Sequence, residues 1–485
     1  MSAPLTVRNL TAIPLDLKVI ERFAVPELFH PTGFGHITHN FTSLVSNVTG
    51  NTTDNQAAPP PSRPLAANAQ SFAREDVNAH IGPFSQQNTG IKTSERGPGE
   101  ILRLTFECDG QQYRIDTPTP SHESQELVPL NGGDKRFTGV FLPSMSFLAI
   151  YSSSNLNCWM QHLHDNTPLA ALSIPGTHNS PTYHKALPSV RCQAVSPREQ
   201  LENGVRFFDI RVQPESPDDL SKDTLILVHG VFPISLTGPK HFRKLLDEIQ
   251  SFLAQNPSET LIMSIKREGT GNATDQHLSR ILSTHYTNSP QWWTSPLVPS
   301  LGEARGKIIL LRRFCIDDTL KVANDGAGYG IDAENWAYNT PNDEHGAVCV
   351  QDFCEVLETV NIEDKIRYCC EHFERAGCAV CAVPRRGEEV SMEDRDRDHG
   401  KLFLNFLSAS NFWRVGCWPE KIAARLNPAI VEFLCARHDV GGGGEGKGDG
   451  GIGVVVCDWV GWGGDWDLVR CIVGMNARLM AMEGQ

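Results

Sequence analysis

Apolar and polar positions follow two different rhythms along the chain. Residues 1–150 contain short alternating or β-branched runs separated by turn residues, among them LTVRNLT, ILRLTFEC and QYRIDTP. Runs with a period of two between turn residues are typical of half-buried strands. Several in succession predict a small β-sandwich. We therefore expect residues 1–150 to form a β-rich N-terminal domain, in which the sequence offers no candidate chemistry.

From about residue 160, nearly continuous apolar runs alternate with amphipathic segments such as PKHFRKLLDEIQSFLAQN. Buried strands that alternate with helices indicate a parallel sheet covered by helices. Eight such strands, followed by helices, predict a TIM-type (β/α)8 barrel over residues 160–482. The eight candidate strands are 169–178, 205–212, 224–230, 260–268, 307–314, 347–353, 401–410 and 452–462.

Three segments interrupt these rhythms. Residues 50–66 are rich in proline and polar side chains, residues 383–399 are dominated by charges, and residues 441–453 are rich in glycine. Such compositions are typical of linkers and solvated loops. We interpret the second and third segments as tolerated loop insertions rather than as a functional lid.

Composition and charge narrow the classes of function. The 485 residues are 40% hydrophobic and 21% charged, which is ordinary for a globular protein. Lys and Arg total 43 against 57 Asp and Glu, a formal net charge of -14. This acidic balance disfavours non-specific nucleic-acid binding, and it also disfavours docking on anionic lipid through a polybasic patch. The sequence has no signal-peptide pattern and no apolar run near the ~18 residues of a membrane span, so we expect an intracellular protein.

A polar or ionisable residue stands at the end of every candidate strand. In a TIM barrel these ends form the active site. Two imidazoles can serve as base and acid, and arginine or lysine can neutralise a phosphoryl group. The sequence lacks a G-x-S-x-G elbow, an H-E-x-x-H motif, a P-loop and a Rossmann glycine pattern. Together, the residues at the strand ends favour phosphodiester cleavage by an internal hydroxyl group. These residues are His178, Asp209, Arg211, His229, Lys266, Arg313, Asp352, Ser408, Asn411 and Asp458.

Several of these residues lie in motifs that resemble the X domain of phosphatidylinositol-specific phospholipase C, the bacterial type in particular. The motifs are LSIPGTHNS (172–180), GVRFFDIR (204–211), LVHG (227–230) and NPSETLIMSIKRE (256–268), with later matches at RGKIILLRRF, VQDF and VVCDW. The resemblance covers about residues 160–482. It implies the barrel of PLC-like phosphodiesterases, a phosphatidylinositol-type lipid substrate and no cofactor. It also implies transient contact with a membrane surface, so we expect a cytoplasmic protein that is peripheral to the membrane.

The resemblance also implies a role for each site residue. His178 is the general base for the inositol 2-hydroxyl, and Asp458 orients it. His229 is the general acid that protonates the diacylglycerol oxygen, and Arg211 contacts the phosphate. The product is a cyclic phosphodiester formed by intramolecular attack. The remaining implied residues hold the inositol ring and its surroundings: Lys266, Arg313 and Asp352, with Asp209 as a neighbouring carboxylate.

Two positions depart from the bacterial pattern. Asn179 replaces an aspartate that assists the leaving group, and Cys354 replaces an aromatic ring. Calcium-dependent eukaryotic relatives also carry asparagine after this histidine. At two positions where those relatives have carboxylate ligands for the metal, however, this chain has Arg211 and Lys266. Two positive side chains would repel Ca²⁺. We therefore expect a site that needs no metal. Two alternatives stay open: a weakened module that binds phosphoinositide or a partner, and a phosphodiesterase for another head group.

Two further features have competing interpretations. Cysteines cluster at 349, 354, 369, 370, 378 and 381, and buried thiols or a local disulfide are favoured there over a zinc site. Trp413, beside Phe412, follows the seventh candidate strand. It either meets a lipid interface or packs within its loop.

Overall fold

The computed structural model describes residues 4–24, 65, 69–93, 100–118, 124–219, 221–379, 400–439 and 450–483. The predicted loops 50–66, 383–399 and 441–453 therefore lie outside the described residues, apart from residue 65 and residues 450–453.

Two five-stranded sheets are built from the N-terminal part of the chain, with strand orders β4-β1-β10-β9-β7 and β3-β2-β5-β6-β8. Apolar side chains from both sheets, such as Val7, Phe106 and Leu148, share one buried cluster. The alternating pattern produces this arrangement because successive side chains of a strand point to opposite faces. The strands are β1 (Pro4–Asn9), β2 (Leu15–Ala24), β3 (Ala73–Ile81), β4 (Ser85–Lys92), β5 (Glu100–Cys108), β6 (Gln111–Thr117), β7 (Ser124–Glu126), β8 (Val128–Pro129), β9 (Phe137–Leu142) and β10 (Phe147–Ser152).

The rest of the described chain forms one twelve-stranded sheet with helices between many of its strands. Its strands are β11 (Ile174–Thr177), β12 (Phe207–Pro214), β13 (Leu225–His229), β14 (Phe232–Pro233), β15 (Leu261–Arg267), β16 (Trp292–Trp293), β17 (Ile308–Arg313), β18 (Ile331–Asp332), β19 (Thr340–His345), β20 (Val348–Asp352), β21 (Leu402–Phe406) and β22 (Val454–Cys457). The helices are α1 (Pro197–Glu202), α2 (Phe242–Gln255), α3 (Asp275–His285), α4 (Leu301–Ala304), α5 (Ile362–Gly377), α6 (Pro419–Ala436), α7 (Asp467–Gly474) and α8 (Ala477–Glu483).

The twelve-stranded sheet is curled and mostly parallel. Its main path runs β16-β17-β15-β12-β11-β22-β21-β20-β19, and every pair from β17 to β20 is parallel. Ile309 of β17 and Val350 of β20 lie far apart on this path, yet both belong to the same buried cluster. The curl therefore brings the carboxyl ends of these strands to one rim.

One predicted strand is wrong in its role. The run 224–230 contains β13, which pairs antiparallel with β12 and β14 and so is not a member of the parallel series. The connection formed by residues 215–224 is shorter than the dozen or so residues that a parallel crossover needs. The short strand β18, which the sequence did not predict, instead pairs parallel with β17.

The N-terminal sheets pack directly against helices of the second part. Arg8 of β1 is buried and donates hydrogen bonds to the carbonyls of Cys435 (3.0 Å) and His438 (2.6 Å) at the end of α6. The last carbonyls of a helix lack partners within it and interact favourably with a cation. Tyr151 of β10 also joins the buried cluster that contains the inward side chains of the curled sheet.

No helix within the described ranges is both long enough and apolar enough to cross a bilayer.

Candidate active site

A cavity of about 670 Å³ opens at the carboxyl ends of the parallel strands. Most of the side chains predicted from the sequence line it: His178, Arg211, His229, Lys266, Arg313, Asp352, Ser408 and Asn411. Asn179, Asp209 and Asp458 do not line the cavity; they are buried and bond to the residues that do or to their neighbours. The predicted residues thus lie together, some lining the cavity and the others buried behind them.

His178 is held between two partners that determine its tautomer. Its Nε2 lies 2.9 Å from Nη2 of Arg211, and its Nδ1 lies 3.0 Å from Oδ1 of Asp458. A guanidinium can only donate hydrogen bonds, whereas a carboxylate accepts them. Neutral His178 therefore carries its proton on Nδ1. Its Nε2 keeps the unprotonated lone pair that a general base needs, and in this structure that lone pair accepts from Arg211.

Arg211 lies between two carboxylates. Its Nη2 donates to Oδ2 of Asp209 (3.1 Å), and its Nη1 donates to Oε1 of Glu268 (3.0 Å). Asp209 and Arg211 are two residues apart on β12, so both side chains project from the same face. Although burial raises the pKa of Asp209, Arg211 and Arg313 more than offset it and hold that pKa well below its usual value. The two carboxylates in turn raise the pKa of Arg211.

Asn179 contributes its backbone to the site. Its N–H donates to Oδ2 of Asp209 (3.1 Å), and its φ of +40° lies in the left-handed region that asparagine tolerates better than most residues. Its side chain is fully buried, and within the described chain neither its oxygen nor its nitrogen has a hydrogen-bond partner. In this structure the side chain therefore makes no hydrogen bond to either histidine.

His229, the last residue of β13, faces His178 across the site, with ring centroids 5.7 Å apart and planes at 85°. Its Nδ1 lies 2.9 Å from the carbonyl oxygen of Val190. A carbonyl can only accept, so the neutral ring carries its proton on Nδ1. Burial, with the nearby charges of Arg211 and His178, lowers the pKa of His229 to about 4. The ring is therefore neutral near pH 7 before substrate binds.

Asp458, which follows β22, is buried behind His178. Burial raises its pKa, against the opposing effect of His178 and Arg211. Its second oxygen, Oδ2, is buried and has no hydrogen-bond partner among the residues described. Among the described residues, the hydrogen bond to His178 is thus the single hydrogen bond that the carboxylate of Asp458 makes.

Several cavity residues escaped the sequence analysis, among them Glu268 and Trp336. Glu268 bonds Arg211, accepts from the backbone N–H of Gly230 (2.7 Å) and lies 3.2 Å from Nζ of Lys266. Burial raises the pKa of Glu268, but the charges of Arg211 and Lys266 outweigh this effect and lower the pKa to about 2. Strand alternation could have identified this residue, because Glu268 stands two positions after Lys266.

Trp336 is another cavity residue that the sequence analysis missed. Its Nε1 donates to Oδ2 of Asp352 (3.1 Å), and the guanidinium of Arg313 lies 4.1 Å from its ring centroid. It lies between β18 and β19, outside any regular element, so no periodicity marks it. It nevertheless orients two of the predicted cavity residues.

Comparison with known proteins identifies the family of this chain. The family model described as "Phosphatidylinositol-specific phospholipase C, X domain" matches residues 165–314. The 1-phosphatidylinositol phosphodiesterase of Listeria monocytogenes is 30% identical over 295 residues, which is 59% of this chain and 77% of that protein. This chain belongs to the phosphatidylinositol-specific phospholipase C family. The resemblance seen in the motifs is thereby confirmed.

Other relatives extend the similarity. The Staphylococcus aureus protein of the same name is 25% identical over 336 residues, 66% of this chain and 93% of that protein. A crystal structure of S. aureus phosphatidylinositol-specific phospholipase C that contains pentafluoro-Phe has a TM-score of 0.50 at 24% identity. It covers 66% of this chain and 97% of that one. The curled parallel sheet is therefore a fold that this chain shares with that phospholipase C.

The cysteine cluster contains free thiols in the part that the structure describes. Cys349 and Cys369 are buried, Cys378 is exposed, and Cys354 lines the cavity. Cys381 lies outside the described residues. Burial raises the pKa of Cys354 to about 11, so its thiol stays protonated at neutral pH.

Proposed function

We propose that this chain is a phosphatidylinositol-specific phospholipase C. It cleaves the phosphodiester by attack of the inositol 2-hydroxyl and releases cyclic inositol phosphate and diacylglycerol. The observation that carries the proposal is the pair of facing imidazoles, each with its proton on Nδ1, beside a guanidinium held by two carboxylates. The activity for which the relatives are named, 1-phosphatidylinositol phosphodiesterase, supports the same reaction.

His178 acts as the general base. Its Nε2 takes the proton of the 2-hydroxyl, and the imidazolium that forms is stabilised by the carboxylate of Asp458 at 3.0 Å. Arg211, already beside Nε2, donates hydrogen bonds to the phosphate oxygens as their charge grows. Lys266 adds a second positive charge on the cavity wall.

His229 acts as the general acid. It is neutral in the free enzyme because its pKa is about 4. An anionic phosphate beside the ring favours the charged form and raises that pKa. Substrate therefore helps to create the acid that protonates the leaving oxygen. The carbonyl of Val190 keeps the ring oriented through Nδ1.

The reaction needs no metal ion in this proposal. A divalent cation of the calcium type is held by several oxygen ligands. Here the carboxylates of Asp209 and Glu268 are bonded to Arg211, which remains protonated at any physiological pH. The guanidinium provides the positive charge between these carboxylates, so neither is available as an oxygen ligand for such a cation.

The inositol ring binds beside Asp352, Arg313 and Lys266, with Trp336 orienting the first two. Cys354 lies in the same wall. Because the side chain of Cys354 is small, the charged residues make the hydrogen bonds to the hydroxyl groups of the inositol ring. Head-group selectivity therefore depends on hydrogen bonds in this site, and loss of such bonds is costly when the partner stays buried.

Exposed apolar side chains at the cavity, here called the apolar rim, support transient contact with a membrane. The rings of Phe232 and Phe412 stack at 5.6 Å, and Trp413, which is 86% exposed, packs edge-on against Phe412 at 4.9 Å. Aromatic and aliphatic side chains exposed together are suited to the boundary of a bilayer. Leu357, which is 63% exposed, also lines the cavity.

The finer description of the fold belongs to the same proposal. We assign residues 160–482 to a TIM-type (β/α)8 barrel and residues 1–150 to a β-sandwich that buttresses helices α6 and α7. The hydrogen bonds of Arg8 to the end of α6 support this arrangement. The cytoplasmic, peripheral location expected from the sequence stays a prediction.

Product analysis tests the function directly. Vesicles that contain phosphatidylinositol are incubated with the protein in excess chelator, and the water-soluble product is identified by phosphorus NMR. We expect cyclic inositol phosphate, and we expect none from His178→Ala or His229→Ala, since each general acid-base step is worth about 10²–10⁴-fold. Vesicle binding without product would favour the binding module. A requirement for added Ca²⁺ would overturn the metal-independent mechanism.

A further inference from the structure

A buried thiol lies directly beside the two histidines of the site. Sγ of Cys192 is 3.7 Å from Nδ1 of His229, and Cys192 is fully buried. One ligand atom from each of Cys192, His178 and His229 lies within 4.8 Å of the other two. Across the described ranges no other group of His, Cys, Asp or Glu side chains is arranged in this way. The proposed reaction gives this thiol no role.

A thiolate and two imidazoles are ligands that suit Zn²⁺ and other soft divalent cations. Hard cations such as Ca²⁺ and Mg²⁺ prefer oxygen ligands and would discriminate against this set. Three protein ligands leave a fourth tetrahedral position for water or an anion. The ligand types therefore select a different class of metal from the calcium used by some relatives.

The surroundings of His178 match those of a metal-binding histidine. Such residues commonly donate the proton of their other ring nitrogen to a carboxylate, as Nδ1 of His178 does to Asp458. The nearest positive charge, Arg211, is already paired with Asp209 and Glu268. Coordination through Nε2 of His178 would replace its contact with Arg211.

We propose that Cys192, His178 and His229 form an inhibitory site for Zn²⁺ or a similar soft divalent cation. Binding breaks the S–H bond of Cys192, releases that proton to solvent and forms a metal–sulfur bond, with no change in oxidation state. His178 donates its Nε2 lone pair to the metal. Coordination of His229 through Nδ1, the atom 3.7 Å from Cys192, moves the ring proton to Nε2 and replaces the hydrogen bond to Val190. Both imidazoles are then lost to proton transfer. Metal binding follows from the ligand cluster alone, whereas the inhibition rests on the proposed function.

The proposal predicts a characteristic pH dependence. A metal–sulfur bond forms only when the S–H proton of Cys192 is displaced. The apparent affinity of the wild type should therefore rise with pH by about one proton more than that of Cys192→Ala.

Two measurements on the full chain test the site. Cd²⁺ is titrated into the protein while the ultraviolet thiolate-to-metal charge-transfer band is recorded. Separately, Zn²⁺ inhibition of a soluble phosphodiester substrate is measured and reversed with chelator, with each variant compared with its own metal-free rate. Cys457→Ala is the matched control, because Cys457 is equally buried and adjoins Asp458 but is not part of the cluster.

We expect the wild type and Cys457→Ala to show the band and reversible inhibition. Cys192→Ala should lose the band, and its inhibitory Zn²⁺ concentration should rise at least about tenfold, the lower limit reported for losing even an outer partner of a metal ligand. If Cys192→Ala does not fold, Cys192→Ser keeps the side-chain size with a much weaker ligand.

A band that persists in Cys192→Ala, or equal Zn²⁺ sensitivity in that variant and the wild type, would overturn the proposal. The Cd²⁺ titration does not depend on turnover, so an inactive wild type that still binds Cd²⁺ through Cys192 would refute the proposed function and leave the metal site standing.

Discussion

Replacing Asp458 with asparagine should separate catalysis from stability at this site. In the wild type, Oδ1 of Asp458 accepts the Nδ1 proton of His178 at 3.0 Å, and Arg211 donates to the opposite nitrogen. An asparagine amide can direct either its oxygen or its NH₂ group at Nδ1. Directing the NH₂ group requires the His178 proton to move to Nε2, where it would face the donor-only guanidinium. The base is then blocked.

The other amide orientation keeps the tautomer but loses the charge. The imidazolium formed during attack no longer has a carboxylate partner, and a hydrogen bond to a charged group contributes about 1.5–3 kcal/mol. At about 1.36 kcal/mol for each factor of ten, that loss alone is roughly 10–150-fold. With the tautomer penalty added, we expect kcat to fall by about 10²–10⁴, the range for a general base.

The Asp458→Asn variant should lose activity but gain stability relative to the wild type as pH rises. Burial raises the pKa of Asp458, so the folded state holds this proton more tightly than the unfolded chain. The contribution of this group to stability is therefore greatest below its unfolded pKa and is lost as pH rises through its folded pKa. Asparagine cannot ionise, so the Tm of the variant relative to the wild type should increase with pH.

The assay combines kcat and KM on phosphatidylinositol with thermal melts between about pH 4 and 8. Asp352→Asn is the matched control, because it removes a cavity carboxylate that bonds Trp336 rather than a histidine. We expect that control to raise KM more than it lowers kcat. A folded Asp458→Asn enzyme with kcat within tenfold of the wild type would refute the reasoning about the tautomer.

Three further predictions concern the general acid His229, the guanidinium of Arg211 and the exposed side chain of Trp413. Because the pKa of His229 is about 4, the wild type should prefer substrates with acidic leaving groups over diacylglycerol-linked ones. That preference should shrink as pH falls towards 4 and in Asn179→Asp; a ratio of rates independent of pH would contradict this. Arg211→Lys keeps the charge but loses the fork that joins Asp209 and Glu268, so kcat should fall at least about 10²-fold; a wild-type rate would show that charge alone suffices. Trp413→Ala should weaken vesicle binding by about 10–100-fold, from the roughly 1.5–3 kcal/mol of one large apolar side chain, without slowing cleavage of a soluble substrate. Val128→Ala, at an exposed apolar residue of the N-terminal sheets, is its control, and equal loss in both variants would exclude a role for the rim.

Much of the site could be predicted from local pattern. Apolar runs of strand length end in His178, Arg211, Lys266 and Arg313, and the ends of neighbouring parallel strands share one rim. A period of two places Asp209 with Arg211 on one face of β12, and the same rule would have identified Glu268. The motifs around these residues were specific enough to identify the family.

The tertiary structure decided what depends on strand order and on irregular backbone. The tautomer of His178 follows from partners on β12 and after β22, which are far apart in sequence and adjacent only because β11 lies between those strands in the sheet. His229 arrives on an antiparallel hairpin rather than on a parallel strand. Trp336 and the Cys192 thiol reach the site from loops, where no period constrains position. Hydrophobic periodicity specifies which face of an element is buried, but it does not encode which elements become neighbours. The hydrogen bonds that set the tautomers of His178 and His229 all cross between elements.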